Sequence, residues 1–388
     1  MLRNISILFR FFNKNKEVKR VLDIFEDWKK TIDNIPVNTI KNKKILLIRI
    51  DDIGDYLLFR NSFYAYKHSK KYADYSITLL GNSAWRDLYN NLDSTIADNT
   101  IWVNKNDYFN KSEYRLQLWE TLRKEGFEIV ICPSRSRPLV LDDLCMLAAN
   151  ATNNIAAHNN FNIIEWNKVS DNLYTELYPD SSLTHEFFYN QQFSNWCCET
   201  NLSLERPEIK TIIPEAKNNT ILCFIGASKK SKRWPPEKWI ELLHIIKKET
   251  NYTCIIAGGK DEINIAEKIN APFGFIDITG KATLPQMIEY INNATIVITH
   301  DTMAAHLSVS LAIPTIIITN GDNFYRFTDY NTANIANVST VYPAMFLKKL
   351  EINKHQSFKG YEAVTKDIAT INPLDVYTEL KKYLDINK

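Results

Sequence analysis

Apolar runs of strand length alternate with helix-forming stretches along most of this chain. Residues 45–50 and 221–225 are almost continuously apolar, as strands buried on both faces of a parallel sheet must be. A polar turn and a helical stretch follow each run, so right-handed parallel crossovers are expected. The pattern predicts an α/β protein built from doubly wound parallel sheets.

Two series of strands and helices are present, and prolines lie between them. At 388 residues the chain is long for one domain and comfortable for two. We predict a basic helical extension at 1–42, a Rossmann-like domain at 43–205, a linker at 206–219, a second Rossmann-like domain at 220–345, and a segment at 346–388 that ends in a helix. Two such domains are expected to leave a cleft between them.

The individual elements follow from periodicity and from turn residues. Strands are predicted at 45–50, 76–81, 128–133, 220–225, 253–257, near 275, 295–299 and 314–319. Helices are predicted at 57–67, 84–90, 112–125, 139–149, 184–199, 236–250, 261–269, 284–292, 302–311 and 373–384.

Composition restricts the class of function. Apolar residues make up 45% and charged residues 24%, as in an ordinary soluble enzyme, and the net charge of +2 does not suggest nucleic acid as a partner. The longest apolar runs are too short to span a bilayer, and no secretion signal is recognised. The six cysteines lack C-x-x-C spacing and the histidines are scattered. We therefore expect reduced cytosolic thiols and no metal held by protein ligands alone.

The first twenty residues are basic and carry interleaved apolar side chains. They contain six Lys or Arg residues against one Glu, with Ile, Leu and Phe between them. Such a segment can lie on an anionic membrane surface. It can equally pack against the body of the protein, and the sequence leaves both alternatives open.

Three carboxylates follow the first predicted strand. Asp51, Asp52 and Asp55 surround Gly54, which we expect to allow a tight turn from strand to helix. The simplest interpretation is that these acids cap the helix. One acid is enough for capping, however, so three at the carboxyl end of a strand favour a catalytic base.

The second half of the chain carries polar turns suited to a nucleotide. Several cations in the loop at 229–233 could neutralise a diphosphate, although such a loop is more often solvated surface. Asp301 or Thr302 can cap the next helix, which leaves backbone N–H groups and His306 available to an anion; His306 could instead bond a backbone carbonyl. A carboxylate in the turn at 258–262 could accept hydrogen bonds from a ribose.

Together these segments resemble the family 9 glycosyltransferases, the heptosyltransferase-like enzymes of bacterial lipopolysaccharide assembly. The matching segments are 45–58, 226–228 with 232–235, 280–284, 301–307 and 314–315, in the family's order, and the resemblance covers roughly residues 44–330. It implies a GT-B architecture, in which the first Rossmann-like domain binds the acceptor and the second binds the nucleotide-sugar. It also implies an inverting reaction without a required metal or a cofactor other than the donor, ADP-heptose being one candidate.

The resemblance also assigns site residues. It makes Asp55 the general base, Lys232 a phosphate contact, Glu262 a ribose contact, and Lys281 and Ala282 neighbours of the nucleotide base. The full set of predicted donor-binding residues is Ser228, Lys232, Arg233, Glu262, Lys281, Ala282, Asp301, Thr302, Met303 and His306.

The expected function is transfer of a heptose-like sugar to lipopolysaccharide or another surface-glycan acceptor. It implies a cytoplasmic protein at the cytoplasmic face of the inner membrane, in peripheral contact through residues 1–42. Met303 stands where the family usually has glycine, so the donor need not be ADP-heptose. The alternatives are a sugar-nucleotide epimerase of the same architecture and a GT-B protein that binds nucleotide-sugar without catalysis, for which Met303 is the clue.

Overall fold

Two parallel sheets of six strands each organise this protein. A computed structural model describes residues 14–39, 42–161, 163–179, 184–211, 219–322, 324–330, 335–352 and 367–384. These residues divide into two units. The first takes those within 1–56, 62–182 and 190–202, and the second takes those within 57–61, 183–189 and 203–388.

The strands of the first sheet lie in the order β3-β2-β1-β4-β5-β6 and those of the second in the order β12-β11-β10-β7-β8-β9. Their bounds are β1 Asn42–Arg49, β2 Ser76–Asn82, β3 Asn99–Val103, β4 Phe127–Cys132, β5 Asn153–Ala157, β6 Glu176–Tyr178, β7 Thr220–Phe224, β8 Thr253–Ala257, β9 Ile276–Asp277, β10 Ile296–His300, β11 Thr315–Ile318 and β12 Val338–Val341.

The helices of the described residues separate these strands. In chain order they are α1 Lys14–Asp33, α2 Ile53–Phe59, α3 Phe63–Lys67, α4 Arg86–Leu92, α5 Lys105–Asn110, α6 Ser112–Glu125, α7 Leu144–Ala149, α8 Ile164–Asp171, α9 Glu186–Cys198, α10 Pro236–Glu249, α11 Ile263–Asn270, α12 Leu284–Asn293, α13 Met303–Ser310, α14 Ala344–Ile352 and α15 Pro373–Leu384.

Both sheets have the strand order of the classical dinucleotide-binding fold, counted from their own first strand. In the first sheet, β2 and β3 lie on one side of β1, and β4 to β6 lie on its other side. In the second sheet, β8 and β9 lie on one side of β7, and β10 to β12 lie on its other side. Ligands bind beyond the carboxyl ends of the strands at such a switch point. The topology therefore singles out the loops after β1 and β4 in the first unit, and after β7 and β10 in the second.

The helix α1 packs into the core of the first unit. Phe25 and Ile32 are buried to 2% and 0% exposure and belong to a cluster with Leu46 of β1 and Trp119 of α6. The described part of the N-terminal extension therefore packs against the body of the protein, which is one of the two alternatives that the sequence left open. Most of the apolar stretch that suggested a membrane surface lies in residues 1–13, outside the described residues.

The terminal helix α15 packs in the same way into the second unit. Val376 and Leu380 are fully buried beside Trp239 and Leu243 of α10. The helix has the predicted bounds, 373–384. Within the described ranges, the helices are all too short or too polar to cross a membrane. The six cysteines are buried free thiols.

Most predicted elements are confirmed, but four strands and three helices were missed. The missed strands are β3, β5, β6 and β12, and the missed helices are α5, α8 and α14. Three of these strands form sheet edges, where few residues are buried; β6, for example, has three residues of which only Tyr178 is buried. Short edge strands lack the long apolar run on which the prediction depended.

The segment after β1 also differs from its prediction. The predicted helix 57–67 is instead a helix that begins at Ile53, a short 3-10 turn at Arg60–Ser62 and a further helix from Phe63. Gly54 therefore lies inside α2 and is not among the glycines with positive φ. The expectation that it makes a tight turn is wrong, and Asp55 lies in the first turn of the helix.

Candidate functional site

In the second unit, the loop after β7 is held by a carboxylate from the loop after β8. Glu262 is 7% exposed. Its Oε1 accepts from Nη2 of Arg233 at 3.0 Å and its Oε2 accepts from the backbone N–H of Gly259 at 2.8 Å. Arg233 Nε also donates to the carbonyl of Ala227 at 2.7 Å. A Cβ at Gly226 would meet Glu262 Cδ at 2.5 Å, so only glycine fits beside this carboxylate.

A buried ion pair joins the same loop to the carboxyl end of β10. The ammonium of Lys232 donates to Oδ2 of Asp301, and the two side chains are 12% and 4% exposed. A lysine and an aspartate predicted separately as donor contacts are thus direct partners. Since a buried charge is stable only when it is paired, each holds the other in place at the switch point.

Between these groups lies His300, which the sequence analysis did not single out. Its ring accepts from the backbone N–H of Trp234 at Nε2, 2.9 Å away, and its Nδ1 lies 3.0 Å from the carbonyl of Gly226. Burial lowers the pKa of His300 to about 4, so the ring is neutral and Nδ1–H is the donor to that carbonyl. The imidazole therefore fixes the ends of the loop that carries Lys232.

The helix α13 begins beside this cluster. Thr302 is its N-cap residue but makes no side-chain capping bond, and its hydroxyl lies 3.4 Å from that of Thr299. The expected cap by Asp301 or Thr302 is therefore not formed, since Asp301 is paired with Lys232. Met303 is the first helical residue. An uncapped helix start with a partial positive charge suits an anion such as a phosphate.

His306 is buried in α13 rather than presented as a cation. It is 4% exposed and its Nδ1 hydrogen-bonds with the hydroxyl of Tyr330. Burial lowers the pKa of His306 to about 4, so the ring is uncharged at neutral pH. The open alternative, a bond to a backbone carbonyl, is replaced by this bond to a tyrosine. An uncharged ring can serve an anion only as a neutral hydrogen-bond donor.

Among the hydrogen bonds and ion pairs of the described residues, three predicted donor residues make none to this cluster. Ser228 is exposed in the bend after Ala227. Lys281 is exposed and its ammonium donates to the backbone carbonyl of Asp277 at 2.8 Å. Ala282 immediately precedes Thr283, the N-cap of α12, and is half-buried. Their assignment as donor contacts stays a prediction.

In the first unit, two of the three predicted carboxylates have cationic partners. Asp51 accepts from Arg49 Nη2 at 2.8 Å and from the hydroxyl of Ser134 at 3.2 Å. Asp52 accepts from the ammonium of Lys105. Burial raises the pKa of Asp51, although the two cations oppose that shift. Each of these two acids therefore binds a cationic side chain of the first unit.

Asp55 lines a cavity of about 520 Å³ in the first unit. The cavity lies beyond β1 and β4 and is walled on one side by α1. A fourth carboxyl, that of Asp142, also lines it and is 2% exposed. Burial, together with repulsion from Asp51 and Asp143, raises the pKa of Asp142 to about 8. Acids with such different environments in one cavity are typical of acid–base chemistry.

Sequence reasoning missed His300, Lys105, Ser134 and Asp142. His300 was within reach, since it directly precedes Asp301 at the end of a predicted strand. Lys105 and Asp142 are distant from the turn in sequence, and only the sheet order brings them to it. For the residues that the structure describes, no group of three or more His, Cys, Asp or Glu side chains is placed to hold a metal ion.

Two doubly wound sheets, each with polar groups at its switch point, are the architecture of the GT-B fold. Residues 181–356 match the model of glycosyltransferase family 9 (heptosyltransferase). The resemblance predicted from the sequence is thereby confirmed over these residues, and the match together with the fold indicates a glycosyltransferase.

Solved structures of this family have the same fold. The family 9 glycosyl transferase of Veillonella parvula DSM 2008 superposes with a TM-score of 0.65 at 16% identity, covering 90% of this chain and 99% of that one. The ADP-heptose lps heptosyltransferase II of E. coli gives 0.63 at 15%, covering 89% and 99%. The E. coli heptosyltransferase WaaC with ADP gives 0.64 at 12%, covering 88% and 99%. A comparison with curated proteins found no match.

Proposed function

We propose that this protein is an inverting, metal-independent glycosyltransferase that moves a heptose-like sugar from a nucleotide-diphosphate donor to lipopolysaccharide or another surface glycan. The observation that carries the proposal is the cluster at the β7–β10 switch point. There a buried lysine and the uncapped start of α13 lie beside each other, joined through Asp301. Together with the family match to residues 181–356, this favours a diphosphate donor in the second unit.

The cluster provides what a departing diphosphate requires. Breaking the bond between sugar and phosphate builds negative charge on the leaving group, and preorganised cations and N–H groups stabilise that charge. Lys232 is already positioned by Asp301, and the loop carrying it is fixed by His300 and Arg233. The side chains therefore need little rearrangement when the donor binds.

In the first unit we assign Asp55 as the general base. An acceptor hydroxyl in the cavity would give its proton to this carboxylate while its oxygen attacks the anomeric carbon. The bond to the diphosphate then breaks on the opposite face, and the configuration inverts. Base catalysis of this kind typically contributes about 10²–10⁴-fold to the rate. The assignment rests on the match of Asp55 to the general base of family 9 and on its place in the lining of the cavity.

The donor is proposed from the neighbours. A similar E. coli enzyme, WaaC, has structures with ADP and with ADP-2-deoxy-2-fluoro heptose. We extend an ADP-linked, heptose-like donor to this chain as a proposal, with Glu262 near the ribose. Met303 at the start of α13 has a side chain where glycine would leave room, so the donor preference is open to test.

A nucleotide screen tests the donor proposal. ADP, UDP, GDP, CMP and dTDP, with their common sugar conjugates, are compared by thermal unfolding of the whole protein. A ligand that binds only the folded state raises Tm, increasingly so above its Kd. We expect one diphosphate, ADP, to raise Tm clearly. If no nucleotide raises Tm, the proposed donor site is wrong. The two alternatives, epimerisation and nucleotide-sugar binding without catalysis, would then be wrong as well, because both need the same site.

Transfer is tested with Asp55→Asn and a matched control. Asp87 is also an acid in the first turn of a helix of the first unit, and it is exposed. We expect Asp55→Asn to lower turnover about 10²-fold or more while the Tm shift with nucleotide is kept, and Asp87→Asn to change neither. Full activity of Asp55→Asn would contradict its assignment. Product formation without an acceptor would indicate an epimerase instead.

Metal independence and membrane contact need separate experiments. Turnover should be unchanged by EDTA and by added Mg²⁺. A loss of turnover in EDTA that Mg²⁺ restores would overturn the metal-independent mechanism.

Sedimentation with anionic liposomes, with and without residues 1–13, tests contact with the inner membrane. Equal pelleting of both forms would remove that part of the proposal.

A further inference from the structure

The cavity beside Asp55 has a composition that restricts its ligand, and the inference drawn from it rests on the proposed function. Eleven of its twenty-one lining residues are apolar or aromatic. They include Val21, Ile24 and Trp28 of α1, and Phe109, Phe161 and Trp166 from other elements of the first unit. Such a wall favours the burial of an apolar or aromatic group.

The charged lining residues are mostly acidic. Five carboxyl groups line it, those of Glu17, Asp51, Asp52, Asp55 and Asp142. Asp142, whose pKa is raised to about 8, is protonated at neutral pH, so four acids face the two cations Arg20 and Lys105. Lys105 is paired with Asp52, and Arg20 is exposed. Arg49 pairs with Asp51 but does not line the cavity, and the acids outnumber the bases even when it is counted. A phosphorylated or carboxylated ligand would meet repulsion there.

Two of these acids have an oxygen without a hydrogen bond. Among the described residues, the buried Oε1 of Glu17 and the buried Oδ1 of Asp51 have no partner. A buried acceptor without a partner destabilises the folded protein, so a ligand that donates a hydrogen bond to it is favoured. One of these oxygens belongs to α1 and the other to the loop after β1. Hydroxyl groups of a ligand could donate a hydrogen bond to each of them.

We propose that the acceptor bound in this cavity is an uncharged, hydroxyl-bearing molecule with an aromatic or other apolar group, such as an aryl glycoside. The hydroxyls donate to Glu17 and Asp51 and present one oxygen to Asp55. The apolar group lies against Phe109, Phe161 and the α1 side chains. The part of the surface glycan that receives the sugar therefore carries no phosphate or carboxylate next to the reacting hydroxyl.

Binding without donor tests this inference apart from catalysis. Three probes are titrated into the full chain by ligand-observed NMR: phenyl β-glucoside, methyl β-glucoside and phenyl β-glucoside 6-phosphate. We expect the phenyl compound to bind about tenfold or more tightly than the methyl compound, as burial of a phenyl ring implies. The 6-phosphate should bind at least tenfold more weakly than its parent. Equal affinity of phenyl and methyl compounds, or tighter binding of the phosphate, would overturn the inference.

Variants assign the binding to the cavity. Phe109→Ala and Phe161→Ala should remove the preference for phenyl over methyl, while Leu116→Ala, at a 36% exposed residue outside the cavity, should retain it. Glu17→Gln should weaken discrimination against the phosphate. A preference that survives both Phe variants places the ligand elsewhere and contradicts the proposal.

Two further outcomes separate the inference from the proposed function. If the phenyl compound binds only a chain that starts at residue 14, the occupant of the cavity is the chain's own N-terminal segment, and the inference is wrong. If a phosphorylated acceptor is glycosylated and the phenyl compound does not bind, the inference fails and the glycosyltransferase remains. If the phenyl compound binds but no donor gives product, the cavity assignment stands and the proposed function fails.

Discussion

At the scale of single residues, the pair formed by Lys232 and Asp301 gives the first prediction. Lys232→Ala leaves a 4% exposed carboxylate without its cation, so the free energy of unfolding should fall by about 3 kcal/mol. Lys230→Ala, at an exposed position of the same loop, should change it little. The double variant with Asp301→Ala should lose less than the sum of the two single changes in urea unfolding. Strict additivity would mean that the two charges do not stabilise each other.

Gly226 and Glu262 give a second prediction, which again compares two single variants with the double variant. A methyl group at Gly226 would lie 2.5 Å from Glu262 Cδ, so Gly226→Ala should displace the carboxylate and weaken nucleotide binding. Glu262→Ala removes the obstacle together with the carboxylate. The double variant should therefore bind nucleotide as Glu262→Ala does, when Kd is measured by calorimetry. A further loss in the double variant would show that the methyl group collides with something else.

Asp142 makes stability depend on pH. Burial and the neighbours Asp51 and Asp143 raise its pKa to about 8 from an ordinary 3.8, against the opposing effect of Lys105 and Arg137. The folded protein therefore keeps a proton that the unfolded chain loses from about pH 4 upward, so this carboxyl lowers stability progressively as pH rises to 8. Asp142→Asn cannot ionise.

The measurement for Asp142 is urea unfolding at pH 5, 6.5 and 8. Relative to the unmodified protein, Asp142→Asn should gain stability steadily from pH 5 to pH 8. Asp87→Asn, at an exposed acid, serves as the control and should show no such trend. Parallel pH curves for Asp142→Asn and the unmodified protein would contradict the proton held by Asp142.

At the scale of elements, α1 is predicted to be an integral part of the first unit. Phe25 is 2% exposed within the core, so Phe25→Ala should destabilise the protein by about 3–5 kcal/mol. Lys30→Ala, on the exposed face of the same helix, should cost little. Chemical denaturation measures both. If the two variants were equally stable, the apolar face of α1 would not be packed in solution and would be available to a membrane.

Elements were predictable from sequence where a long apolar run or a full helical period was present. The helix α6 and the strand β8 have the predicted bounds, 112–125 and 253–257. The failures were short elements such as β6, whose formation depends on a neighbouring strand rather than on local pattern. The prediction of the turn after β1 was wrong for a different reason. Several acids follow that strand, and the sequence signals for a helix start do not decide which of them lies at the first residue of the helix.

At the scale of the whole molecule, the proposed donor and acceptor sites lie in different units, and hydrogen exchange should separate them. ADP should slow exchange in peptides that cover 226–233, 258–262 and 299–304, all in the second unit. Phenyl β-glucoside should slow exchange around 51–55 and 105–110 in the first. The unliganded protein is the reference. Protection by ADP confined to 51–55 would contradict the division of roles.

The two parallel sheets could be predicted from the amino-acid sequence, because buried strands must be apolar and crossover helices must separate them. The motifs that resemble family 9 were also visible in the sequence. The sequence also marked Asp55, Lys232, Glu262 and Asp301 as candidates. Which of these residues are partners became visible only in the folded protein. Lys232 and Asp301 are 69 residues apart, and sheet order, set by long-range strand pairing, joins them. Burial, which makes His306 neutral and raises the pKa of Asp142, likewise depends on side chains that are distant in sequence.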